Sequence, residues 1–107
     1  MELRQYAIVL VNLEPTLGSE IKKTRPCVIV SPNEMNQFLR TLTIIPMTTR
    51  SKNYPTRVSL THAGKKGWMV VDQIRTIDKQ RIVKVVGKLN ATVSKKLKAV
   101  LKETFVD

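Results

Sequence analysis

Apolar and polar positions alternate over short reaches through most of this chain, then change period near its end. Ile8-Val9-Leu10-Val11 and Cys27-Val28-Ile29-Val30 are unbroken apolar runs, and shorter β-branched stretches follow them between turn residues. The pattern predicts strands near 8–12, 27–30, 42–46, 57–60, 68–72 and 82–88. Gly64-Lys65-Lys66-Gly67 reads as the turn joining the fourth and fifth of these. From Asn90 the period becomes helical. Val93, Leu97, Val100, Leu101 and Thr104 share one face, Lys95, Lys96, Lys98 and Lys102 cover the other, and Asn90 is a good N-cap. A shorter helical turn is expected within 32–38. The fold class is therefore mainly β with some α: many short strands, as in a small barrel, ending on an amphipathic C-terminal helix.

Composition adds a partner to this picture. A chain of 107 residues with 42% hydrophobic positions fills one modest core, and residues 1–107 read as a single domain without linker, repeat or low-complexity tract. Nineteen Lys and Arg against eight Asp and Glu leave a formal charge of +11 at pH 7, which draws polyanions. Nucleic acid is the first candidate. A membrane is a weaker one, because no long basic amphipathic stretch carries exposed aromatics on its opposite face. Glu2 and Arg4 precede a strand-like apolar run too short to span or target, so a cytoplasmic location is expected. Cys27, the lone cysteine, heads an apolar strand and is expected to be a buried, inert thiol.

The candidate chemistry has to be assembled without a metal cluster or a histidine pair. His62, the only histidine, falls in a polar stretch and reads as a surface loop residue, so neither a two-histidine ribonuclease mechanism nor a zinc site can be built. The eight acids are scattered, and no metal or cofactor is expected. RNA carries its own nucleophile. A base can deprotonate the 2′-hydroxyl, which attacks the adjacent phosphorus while cations stabilise the charged phosphorane.

The run from Glu14 to Arg25 suits that demand, with cations, hydroxyls and a glycine between two apolar strands. Arg25 can fork onto two phosphate oxygens and stays charged at any working pH; its structural alternative is an ion pair with Glu20 or Asp72. Glu20 is the nearest candidate base, or else an exposed carboxylate partnered by Lys22 or Lys23. Lys22, Lys23, Arg50, Lys52, Arg57, Lys65, Lys66 and Arg75 would hold the RNA backbone. Tyr54 is the best stacking candidate, whereas Phe38, Trp68 and Phe105 read as core.

Three stretches in order carry a family likeness: Gly18-Ser19-Glu20 with Thr24-Arg25-Pro26, then Pro46-Met47-Thr48-Thr49, then Asp72-Gln73-Ile74-Arg75-Thr76-Ile77-Asp78. Together they resemble the signature of the MazF/PemK family of ribonuclease toxins, over nearly the whole chain. The resemblance implies an SH3-like barrel decorated with helices. It implies a metal-independent, sequence-specific endoribonuclease (mRNA interferase) acting on single-stranded RNA, a homodimer, and a cognate acidic antitoxin. It maps a catalytic role onto Arg25 and Thr48 and its acidic position onto Asp72, so that the base is Glu20 or Asp72. With the residues read above, the expected RNA-binding set is Ser19, Lys22, Lys23, Thr49, Arg50, Lys52, Tyr54, Arg57, Asp72, Gln73 and Arg75. Three departures stand out. Ser19 stands where some members carry histidine, which excludes histidine assistance on that pattern. Val70 replaces an arginine that some members place two residues before the acidic position matched by Asp72. Tyr6-Ala7 replaces a Gly-Asp pair before the first strand. The alternatives are a non-catalytic RNA-binding or ribosome-associated small barrel, and a gyrase-targeting toxin on the same fold.

Overall fold

The computed structural model describes residues 2–106. Seven strands and two helices follow one another: β1 (Ala7–Asn12), β2 (Thr24–Ile29), α1 (Asn33–Phe38), β3 (Thr41–Thr48), β4 (Arg57–His62), β5 (Lys65–Val70), β6 (Arg75–Asp78), β7 (Ile82–Lys88) and α2 (Ala91–Phe105). Short 3-10 turns at Val71–Gln73 and Lys79–Arg81 flank β6. The strands form one curled antiparallel sheet in the order β4-β5-β3-β2-β1-β7, with β6 paired to β3. Among the described residues, no helix is long and apolar enough to cross a membrane.

The two unbroken apolar runs become the central strands because both of their faces are covered. Ile8 and Val28 point into one cluster with Ile45, Met47, Val58, Leu60 and Leu97, under α2. Val9, Val11, Cys27 and Ile29 point the other way, into a second cluster with Leu13, Leu42, Ile44 and Ile77. A one-residue slip of β1 on β2 would exchange the two sets, so the register Ile8↔Val28 through Asn12↔Thr24 is strongly specified.

The curl is made in β3. Its outer edge pairs with β6 at Thr41–Ile44 and with β5 at Met47 and Thr48, so one strand serves two directions. Ile45 and Pro46 fall in the gap between those pairings, where a residue lacking an N–H costs that edge no ladder bond. The edge strands β4 and β7 then approach each other beside α2. A Cβ on Gly87 of β7 would lie 3.2 Å from His62 Cε1, a contact tighter than usual, so a larger residue there would make the imidazole at the end of β4 give way.

The strand limits differ from the sequence pattern at one hairpin. Ala63 and Gly64, both at positive φ (51° and 77°), make a two-residue turn, and Lys65–Gly67 belong to β5 opposite His62, Thr61 and Leu60. Asp72 lies in a 3-10 turn rather than a strand, and β6 is an element the apolar pattern does not reveal. Phe38 and Phe105, expected in the core, are 79% and 55% exposed. Tyr6 takes φ 70°, a backbone state that favours glycine, and is fixed by bonds from its N–H to Ile29 O (2.7 Å) and from Leu89 N to its carbonyl (2.9 Å). The family pattern's glycine has a structural reason at this position.

Candidate active site

Arg25 is the second residue of β2 and Thr48 the last of β3. The β2–β3 register pairs Cys27 with Pro46, and carried two residues further it sets Arg25 across from Thr48. Both line a cleft of about 420 Å³ whose floor is Leu10, Pro26, Met47 and Val86, and whose walls include Thr49, Lys65 and Lys66. Alternation explains the floor: Pro26 and Met47 lie on the same sheet faces as Val28 and Ile45, beyond the point where the inner cluster is covered. Gly67 lets β5 close against this end, because a Cβ there would stand 3.3 Å from the Thr48 carbonyl oxygen.

The cleft is cationic: Arg25, Lys65 and Lys66 line it, and among the described residues no carboxylate does. Arg25 is half-buried, and its Nε donates to the Lys22 carbonyl at 3.3 Å. It belongs to neither ion pair found among the described residues, Arg4–Glu2 and Arg57–Asp72, so the structural alternative of a partnered Arg25 is not adopted. Thr48 Oγ1 accepts from Arg50 N at 3.2 Å and donates to the Arg50 carbonyl at 3.4 Å, which turns the chain out of β3 and leaves Thr49 and Arg50 exposed.

A second cleft of about 360 Å³ collects Glu20, Asp72, Gln73 and Arg75. Consecutive residues of β3 face the two spaces, Pro46 this one and Met47 the first. The candidate site is therefore divided: Arg25, Thr48 and Thr49 stand together, while Glu20 stands with the acidic and amide candidates next door.

Most groups of the second cleft shape loops. Glu20 Oε1 accepts from Leu17 N at 2.8 Å, closing a turn that carries the exposed Ser19. Gln73 clamps the same loop, its Oε1 accepting from Ile21 N at 2.8 Å and its Nε2 donating to Ser19 O at 3.4 Å. At the base of the loop Glu14 Oε1 accepts from Lys23 N at 2.9 Å, and Arg75 donates to the Leu13 carbonyl at 3.3 Å. Lys22 and Lys23 are exposed beside it.

Asp72 and Arg57 bind each other, at 3.0 Å from Nε to Oδ1, and Thr56 donates to the same oxygen at 2.9 Å. Burial pushes the Asp72 carboxyl up, but these hydrogen bonds outweigh it and hold it below its ordinary value. The Arg57 guanidinium also donates to Ser51 and lies 5.3 Å from the Tyr54 ring centre, so the stacking candidate already carries a cation on one face. Lys52 and Tyr54 are exposed on that loop. Cys27 is buried and its thiol is pushed up to about 12 by burial, against the smaller opposing pull of Arg75 and a backbone hydrogen bond from Met47.

His62 departs from the expectation of a surface loop residue. It ends β4, is half-buried, and lines the Arg25–Thr48 cleft. The signal was present in the sequence: Val58 and Leu60 face the core, and alternation puts His62 on the same face. Among the described residues, no three His, Cys, Asp or Glu side chains gather as metal donors.

Residues 4–105 match the family model described as "PemK-like, MazF-like toxin of type II toxin-antitoxin system". The chain is 36% identical over 70 residues to the endoribonuclease toxin MazF of Escherichia coli K12, a match covering 65% of this chain and 63% of that relative. It is 32% identical over 111 residues to the endoribonuclease MazF9 of Mycobacterium tuberculosis, covering 94% of this chain and 93% of the relative. The crystal structure of MazF from Deinococcus radiodurans superposes with a TM-score of 0.84 at 27% identity, over 94% of each chain. The curled sheet, the C-terminal helix and these matches over nearly the full length agree: the chain belongs to the PemK-like, MazF-like toxin family of type II toxin–antitoxin systems.

Proposed function

We propose that this protein is a toxin endoribonuclease that cuts single-stranded RNA at particular sequences, without a metal ion, by attack of a 2′-hydroxyl on the adjacent phosphorus. The observation that carries the reading is the meeting of Arg25 and Thr48, from different strands, in one cationic cleft with no carboxylate to repel a phosphate. Arg25 supplies charge to the phosphorane oxygens. A guanidinium is a poor proton donor near neutrality, so its contribution is electrostatic. Thr48 turns its hydroxyl from the Arg50 carbonyl to a non-bridging oxygen.

The exposed Ser19, Lys22, Lys23, Thr49, Arg50 and Lys52 hold the RNA backbone on either side, and Tyr54 offers its free face to a base. Glu20, Arg57, Asp72, Gln73 and Arg75 act by fixing the loops that present them. The whole of residues 1–107 works as one domain in the cytoplasm. Exposed Val83 and Val85 on edge strand β7 favour a homodimer, whose test is the mass in solution by light scattering. The +11 charge and the family's toxin–antitoxin pairing favour an acidic, flexible antitoxin laid across the same cleft.

The test is incubation of the purified protein with a long RNA in EDTA, with new 5′ ends mapped and end groups analysed. The expected products carry a 2′,3′-cyclic phosphate and a 5′-hydroxyl, and 2′-O-methylation at the cut position blocks the reaction. RNA bound but never cut would instead establish a non-catalytic RNA-binding barrel.

A further inference from the structure

We infer that His62 is the proton acceptor of the Arg25–Thr48 cleft, the group that takes the proton from the attacking 2′-hydroxyl; this rests on the endoribonuclease reading. The reaction needs a base within reach of the phosphate that Arg25 holds, and the cleft offers few choices. Its titratable lining consists of Arg25, Lys65, Lys66 and His62. Three of these are cations with no acceptor at working pH. An imidazole is the one side chain among them that accepts a proton near neutrality.

The two candidate carboxylates stand elsewhere. Glu20 lines the other cleft and accepts the Leu17 N–H at 2.8 Å. Asp72 is held by Arg57 and Thr56.

The fold places His62 for this use. Its strand neighbours on the same face, Val58 and Leu60, are anchored in the inner cluster, and the two-residue turn Ala63–Gly64 ends the strand at the cleft. The ring edge rests on Gly87, which fixes the imidazole by packing. No hydrogen bond ties up either ring nitrogen among the described residues. The charged groups around it are Arg25 from β2, Lys65 and Lys66 from β5, and Lys88 from β7 across a smaller cavity that His62 also lines. None of them is an acceptor that would compete for the proton.

The step balances without a co-reactant. The 2′-hydroxyl proton passes to an imidazole nitrogen as the 2′-oxygen bonds to phosphorus. The P–O5′ bond breaks, and the 5′-oxygen leaves with the bonding pair and takes a proton from water. The imidazolium returns its proton to the hydroxide so formed.

The experiment compares the wild type with His62→Gln, His62→Asn, Glu20→Gln and Arg25→Ala, and with His62→Gly for rescue, on a synthetic single-stranded RNA containing the mapped cut, between pH 5 and 9. The expected wild-type rate falls on the acid side, where the accepting base is protonated, and this acid limb is the signature read in the variants. His62→Gln and His62→Asn should both cut about 10²–10³-fold more slowly, lose that limb and keep KM within a few-fold. Added imidazole should partly restore His62→Gly, an effect that a merely structural role would not give. A His62→Gln protein that melts like the wild type yet keeps its rate and acid limb overturns the proposal, as does loss of the limb in Glu20→Gln alone. If Arg25→Ala is crippled while the His62 variants are not, the ribonuclease reading stands and His62 is excluded. If the wild type cuts no RNA, both fall.

Discussion

Arg57 Nε donates to Asp72 Oδ1 at 3.0 Å and its Nη2 reaches Oδ2 at 3.3 Å, a two-pronged ion pair joining β4 to the turn after β5. Arg57, which the charge pattern assigns to RNA, and Asp72, which the family likeness does, are thereby each other's partners. Their join also holds Thr56, Ser51 and Tyr54, and so anchors the loop between β3 and β4.

Arg57→Leu should therefore loosen that loop and lower stability by about 1–2 kcal/mol, the low end for a lost charged partner because Asp72 is part-exposed. The sign with pH is fixed by the direction of the Asp72 shift. Its folded value lies below 3.8, so the pair's contribution is complete above that pH and is lost as pH falls further, through the folded value. Urea melts of wild type and Asp72→Asn should differ at neutral pH and converge in acid. A difference that instead grows in acid would contradict the assignment.

Arg25→Ala should lower RNA cleavage by about 10²–10³-fold, about 3–4 kcal/mol of transition-state stabilisation, with the thermal melt unchanged. Thr48→Ala should lose less. Single-turnover rates on one RNA decide this, and a folded Arg25 variant that cuts at the wild-type rate would refute the site.

Gln73→Ala should free the Ser19–Ile21 segment without touching the cationic cleft. Losing two hydrogen bonds, each contributing about 1 kcal/mol net, should weaken RNA binding by about tenfold while the single-turnover rate at saturation changes little. Equal loss in binding and rate would make Gln73 part of the chemistry.

Cys27 should resist an aromatic disulfide reagent in the native protein. With a thiol at about 12, its thiolate fraction at pH 8 is about one in 10⁴, and no solvent reaches the sulfur. Denaturant should expose one fast-reacting thiol per chain. Stoichiometric labelling of native protein within seconds would show that β2 opens.

Asn90→Ala should cost about 1 kcal/mol, since the Asn90 side chain accepts from Val93 N at 2.8 Å and caps α2. For a domain of this size the melting temperature should fall by about 4–8 °C. Asn90→Ser should recover most of the loss.

Local pattern sufficed where a residue's role depends on near neighbours. The limits of β7, the cap at Asn90, the buried Leu97 stripe and the inert Cys27 follow from period and burial, which a few consecutive residues encode. The apolar runs around Val9 and Val28 named the central strands, because strands covered on both faces have no polar alternate positions. The ordered motifs also named Arg25 and Thr48 as partners. What the chain could not declare locally was which distant groups meet. Gln73 reaches Ile21 across 52 positions and Arg57 reaches Asp72 across 15, and both contacts depend on sheet register and on the change of partner along β3 between Ile44 and Met47. Those same features divided Glu20 from Arg25 and brought His62 into the lining of the cleft that Arg25 and Thr48 share. They also left Phe38 and Phe105 outside a core already filled from both sides. Period is a property of adjacent residues; a cleft is a property of strands whose pairing closes only in three dimensions.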